Sequence, residues 1–150
     1  MTAWGDVEYA LGNIFTCLSQ TPYASILIDR LSQQQFREII QAISEEALPP
    51  AEHDRLNSVL ERVRRKTTIR NNIVHGKWGI LDGAPARFFR VGIPKSTKEA
   101  QSMRDRQIFT AADLDRRAAE LVEVCTELDA IFRDVVLPHH IENLRRNRGK

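Results

Sequence analysis

The sequence predicts an all-α domain, a helical bundle of four to five helices with one small β-hairpin inserted at about residues 77–92. Three observations predict it. Apolar residues recur at three- and four-residue steps through most of the chain, the period of a helix with one buried face. Prolines fall between those stretches rather than inside them. Only one segment, Trp78 to Val91, is rich in the residues that favour extended chain. With 150 residues, 42% of them hydrophobic and 28% charged, the chain suits one domain over 1–150 and lies far from the composition of disorder.

The first helix carries Val7, Leu11, Ile14, Phe15 and Leu18 on one face, and Thr21-Pro22 ends it because proline disfavours the helical region for its predecessor. Ile26, Ile28, Leu31, Phe36, Ile39, Ile40 and Ile43 then keep a helical period through Ala47. This is either one long helix or two short ones, with the Ser32 hydroxyl capping the second. Pro49-Pro50 stop it. A third and longest stretch begins near Ala51, carries Leu56, Val59, Leu60, Val63, Ile69, Ile73 and Val74, and stops at Gly76. The hairpin follows, with Asp82-Gly83-Ala84-Pro85 as its turn. Lys95 to Gln107 is polar and without period, a loop or a mobile lobe. Thr110 and Asp113 form a capping box for a last long helix with Leu114, Ala118, Leu121, Val122, Cys125, Leu128, Ile131, Phe132 and Val135 on its stripe. Pro138 kinks or ends it, leaving 139–150 as a basic, frayed C-terminal tail.

Several functions are excluded early. No apolar run approaches the roughly 20 residues of a membrane span, and the opening MTAWGDVEYA has no export signal, so no membrane partner is expected. Cys17 and Cys125 read as buried thiols in a cytoplasmic protein, unpaired for zinc. A phosphate-binding glycine loop and a Gly-x-Ser-x-Gly elbow are both missing, so nucleotide and serine hydrolases drop out. His139-His140-Ile141-Glu142 offers metal-type residues, but adjacent histidines diverge by about 100° on a helix and no third ligand is evident. No metal site and no cofactor is expected.

The chemistry concentrates in Arg70-Asn71-Asn72-Ile73-Val74-His75, at the end of the third helix. On an ideal wheel Asn71 lies about 40° from His75, so the two share an edge. Arg70 lies about 140° from His75, inside the sector of Leu56, Val59, Leu60, Val63 and Val74. A guanidinium keeps its proton, so one placed among apolar residues must snorkel, pair with an acid such as Glu45, Glu46 or Asp129, or open into a wet cleft. The window from Arg62 to Lys77 contains Arg62, Arg64, Arg65, Lys66, Arg70 and Lys77 and no acid. Net charge is only +2, so this is a local stripe, suited either to RNA phosphates or to the negative end of the helix dipole.

Arginine, a polar residue, three further positions and histidine resemble the R-(N/D/H)-x3–5-H signature of the HEPN superfamily. The resemblance extends to the helical framework of most of the chain. The Trp78 to Val91 hairpin is not part of the general family pattern. It implies a HEPN-like bundle that forms a homodimer and acts as a metal-independent endoribonuclease in a toxin-antitoxin, phage-defence or stress setting. Arg70, Asn71 and His75 would then be the catalytic residues, with Arg62, Arg64, Arg65, Lys66 and Lys77 binding RNA. A cognate antitoxin of nucleotidyltransferase type is an implied partner. The alternative the resemblance leaves open is a non-catalytic HEPN-like module binding RNA, a nucleotide or a protein.

Overall fold

The structure, a computed structural model, describes residues 3–74, 77–81, 84–89 and 110–148. Along these run α1 (Ala3–Ser19), α2 (Ala24–Arg30), α3 (Gln33–Ala47), α4 (Pro50–Val74), β1 (Lys77–Leu81), β2 (Ala84–Phe89) and α5 (Ala111–Ile131). A π-helical turn over Phe132–Val136 leads into α6 (Leu137–Arg148). Helix dominates. The chain divides into two compact units, one reaching Arg64 and resuming at Leu121, the other Arg65–Glu120.

The first unit holds the apolar core. Val7, Leu11, Ile14, Phe15 and Leu18 of α1 meet Phe36 and Ile40 of α3, Leu56, Val59, Leu60 and Val63 of α4, and Val124, Leu128 and Ile131 of α5. Phe15 and Phe36 pack edge to face with ring centres 5.2 Å apart, the arrangement that the aromatic quadrupole favours. Gly12 faces α2, and a Cβ there would stand 3.7 Å from Ile28 Cδ1, an ordinary contact.

Local chemistry sets the helix ends. α1 stops at Ser19, where Gln20 takes the left-handed conformation at φ 50°, before the restriction that Pro22 places on Thr21 applies. The stretch from Ile26 to Ala47 is two helices, because Ser32 accepts a hydrogen bond from the Gln35 amide while the Gln35 side chain accepts from the Ser32 amide. Ser32→Ala removes one of these partners, and we expect a loss of about 1 kcal/mol in urea-unfolding stability. Pro49 follows the end of α3, and Pro50 opens α4 at the first helical position, where a missing amide hydrogen costs nothing.

Pro138 neither ends the last helix nor leaves a frayed tail. The Leu137 amide donates to the Phe132 carbonyl five residues back, and the wider turn absorbs the proline that an α-helical ladder would exclude. Helix then continues to Arg148, correcting the frayed tail expected over 139–150. The His140 ring, through Nδ1, lies 3.0 Å from the Cys17 carbonyl and ties α6 to α1.

In the second unit β1 and β2 pair antiparallel, with Lys77 opposite Phe89, Trp78 opposite Phe88 and Leu81 opposite Ala84. The register shifts between Gly79 and Leu81, an irregularity for which glycine is suited. The turn residues Asp82-Gly83, Arg90-Val91 and the Lys95–Gln107 segment lie outside the described residues. α5 opens on the Thr110 box: the Thr110 amide and hydroxyl donate to Asp113 at 3.1 and 2.8 Å, and the Asp113 amide donates back to the hydroxyl at 3.2 Å.

The Thr110 amide, then its hydroxyl, then Arg116 hold the Asp113 carboxyl down at about 2. A carboxylate whose folded value lies below its unfolded one stabilises the fold above the unfolded value and ceases to as pH falls through the folded one. The Asp113 contribution is therefore present above about pH 4 and lost toward pH 2. An acid titration followed by unfolding should show this loss in the wild type and not in Asp113→Asn. Among the described residues, no helix is long and apolar enough to cross a membrane.

Candidate functional site

α4 carries the Arg70-Asn71-Asn72-Ile73-Val74 run to its last described turn. Its buried face is Leu56, Val59, Leu60 and Val63, all nearly inaccessible to solvent. Beyond Val63 its described side chains are half-buried or exposed, and Val74, assigned by the wheel to the same apolar sector, is 53% exposed. A wheel projects one face along a whole helix. Among the described residues the core that selects this face reaches to Val63, and Arg70, two turns later, is half-buried.

Arg70 Nη1 donates to Asn71 Oδ1 at 3.1 Å, and Asn71 is exposed. The carboxamide oxygen thus fixes one arm of the guanidinium fork at the surface, which limits the orientations the cation can take. His75 lies outside the described residues, as do the side chains of Asn72 and Ile73.

The basic stripe is less naked than its sequence. Arg62 pairs with Glu127 of α5, Arg64 with Glu61 at 2.9 Å, and Lys66 with Glu120. Glu120 also accepts from Arg117 at 3.2 Å. The hydrogen bond from Lys66, reinforced by the charges of Lys66 and Arg117, holds the Glu120 carboxyl below its ordinary value, so it stays anionic at neutral pH. Arg65 is exposed and makes no ion pair among the described residues. Lys77 stands on β1, its side chain outside the described residues. Three of the five expected RNA contacts thus have acids as neighbours, and their attraction for a polyanion is reduced accordingly.

The acids come from positions that a scan of the basic window misses. Glu120 and Glu127 are seven apart on α5, a spacing that returns to one helix face, and matching it against Arg62 and Lys66, four apart on α4, would have found them. Arg37 was missed as well. It is 9% exposed on α3, and burial, then the charge of Arg64, push its guanidinium below the ordinary value against the opposing pull of Glu61 and Glu38. On a wheel of α3 it falls about 60° from Ile40, so the test applied to Arg70 would have flagged it.

Other chemical groups are accounted for structurally. His139 Nε2 meets Asn143 Nδ2 at 2.9 Å, and Ser44 Oγ, fully buried, meets His53 Nδ1 at 2.9 Å and ties α3 to α4. Glu45 and Glu46 are exposed. Burial raises the thiols of Cys17 and Cys125 above their ordinary value, which lowers the thiolate fraction. Among the described residues, no three His, Cys, Asp or Glu side chains are placed to hold a metal ion. The chain matches no protein-family model, no curated protein and no solved structure.

Proposed function

We propose that the protein is a metal-independent endoribonuclease of HEPN type, acting as a cytoplasmic homodimer. The observation that carries the reading is the Arg70-Asn71 pair in the R-N-x3-H spelling at the end of α4, with the Arg70 fork oriented at the surface by Asn71. RNA supplies its own nucleophile. His75 takes the 2′-hydroxyl proton, the oxygen attacks the adjacent phosphorus, and the bond to the 5′-oxygen breaks as a protonated histidine gives that oxygen a proton. Arg70 donates to the phosphate oxygens, where negative charge grows. The products are a 2′,3′-cyclic phosphate and a 5′-hydroxyl end.

The second copy supplies the matching histidine and arginine across a two-fold axis. The exposed Val74, within the motif, is an apolar surface such a partner would cover. Arg65 and Lys77 contact the RNA strand first, and Arg62, Arg64 and Lys66 join when RNA displaces their acids. The resemblance places such an enzyme in a toxin, defence or stress setting, held in check by a nucleotidyltransferase-type antitoxin.

One observation favours a second reading, a non-catalytic HEPN-like module that binds RNA, a nucleotide or a protein. Glu61, Glu120 and Glu127 neutralise much of the stripe that an RNA enzyme would keep bare. The deciding experiment incubates the purified chain with single-stranded RNA and with tRNA in EDTA. Fragments ending in 2′,3′-cyclic phosphate are the expected result, and intact RNA of both kinds overturns the enzyme reading.

A further inference from the structure

α6 is joined to the rest of the first unit by its polar side. The His140 ring meets the Cys17 carbonyl at 3.0 Å, and the half-buried His139 and Asn143 meet each other at 2.9 Å. No residue of α6 is buried. Its aliphatic side chains stay in contact with water: Ile141 is 41% and Leu144 42% exposed, and Leu137 is half-buried. A surface helix ordinarily turns its apolar stripe to the core and its polar side to water, and this one does the reverse.

The outward residues follow a coiled-coil spacing. Leu137, Ile141, Leu144 and Arg148 are four, three and four positions apart, and Asp134, in the π-helical turn, precedes Leu137 by three. On a wheel Leu137, Leu144 and Arg148 fall within about 60° of Ile141. The stripe is therefore apolar in its middle, acidic at one end and basic at the other. Asp134 and Arg148 are exposed, and neither makes an ion pair among the described residues.

Charge decides the occupant. An antiparallel copy of the same stripe sets Ile141 against the partner's Ile141, Leu144 against the partner's Leu137, and Arg148 against the partner's Asp134. A parallel copy would set acid on acid and base on base, which repel. A nucleic-acid strand would leave Asp134, Ile141 and Leu144 without a complement.

We propose that α6 is a self-association face, on which two copies of this chain pair antiparallel about a two-fold axis beside Ile141. The stripe runs for about 20 Å, so the contact is smaller than a standard interface and forms reversibly. It uses none of the residues of the ribonuclease reading and stands whether or not the motif cleaves RNA.

Sedimentation equilibrium of the full chain tests the pairing from about 10 µM to 1 mM, where the mass should rise with concentration. Ile141→Asp should weaken association at least about tenfold. Arg148→Glu and Asp134→Arg should each weaken it less, and the double variant Asp134→Arg/Arg148→Glu should restore it, because each copy then meets a partner with the charges reversed. These positions are exposed, and circular dichroism reports whether each variant keeps its helix. Should Ile141→Asp lose helix, the charge exchange decides alone. A monomer at every concentration, Ile141→Asp associating as the wild type does, or a double variant no better than the single ones each overturn the proposal. RNA cleavage in EDTA is read on the same samples. Intact RNA beside α6-dependent association removes the ribonuclease reading alone, and cleavage beside an unchanged Ile141→Asp mass removes this pairing alone.

Discussion

His75→Ala is expected to lower the rate of RNA cleavage by about 10²–10⁴-fold, the usual contribution of a positioned acid or base. On the proposed mechanism Arg70→Ala removes a donor to developing charge and is expected to cost about 10²–10³-fold. Lysine at position 70 keeps the charge and loses the planar fork, so Arg70→Lys should recover only part of this loss. Asn71→Ala should cost less than either, because Asn71 holds the Arg70 side chain through one hydrogen bond of 3.1 Å and need not touch the phosphate. Its signature is partial: a slower rate with an unchanged pH profile, whereas His75 variants change the profile itself. Asn71 is exposed beyond the buried segment of α4, so Asn71→Ala should unfold at the wild-type urea midpoint. Equal cleavage by wild type and His75→Ala would leave the motif without a catalytic role.

Phe15→Ala carries the largest expected loss of stability. Phe15 is 1% exposed, lies in the layer shared by the first unit's helices, and stacks edge-on to Phe36. Truncating a buried phenylalanine costs about 3–5 kcal/mol, part of it the cavity left behind. Loss of the ring pair accounts for about 0.5–1.5 kcal/mol beyond buried area. Against a total of about 5–15 kcal/mol, this is enough to populate the unfolded chain at low denaturant. Phe15→Leu keeps most of the volume and should cost clearly less. Urea unfolding of the two variants separates lost volume from a nonspecific sensitivity of the site.

Where local chemistry decides, the sequence was legible. The Ser32 and Thr110 boxes are visible in a few residues because cap and partner are three apart, and the structure places both. The α1 stripe and the α4 face through Val63 are equally plain, since period 3.6 has one solution when a core runs alongside. What failed needed partners distant in sequence. Val74 continues the apolar period yet is exposed, and nothing in the period reveals where a core ends. Arg62 and Lys66 meet acids 65 and 54 residues away, so a count of charge within the window overstated the bare potential. Pro138 reads as a kink or an end because proline excludes an α-helical hydrogen bond; a π turn accommodates it and leaves little trace in composition. Of the candidate catalytic set, the contact between Arg70 and Asn71 is placed, and His75 lies outside the described residues.

The turn at Phe132–Val136 works as a phase adjuster for the last helix. Each residue of an α-helix advances the azimuth by about 100°, so one residue more or fewer before Pro138 would swing every later side chain by that angle. His140 would then point away from the Cys17 carbonyl, and Ile141 and Leu144 would exchange their present outlook for another. Single-residue insertions and deletions here are therefore rotations of the C-terminal rod, and they alter which surface it offers while its composition hardly changes.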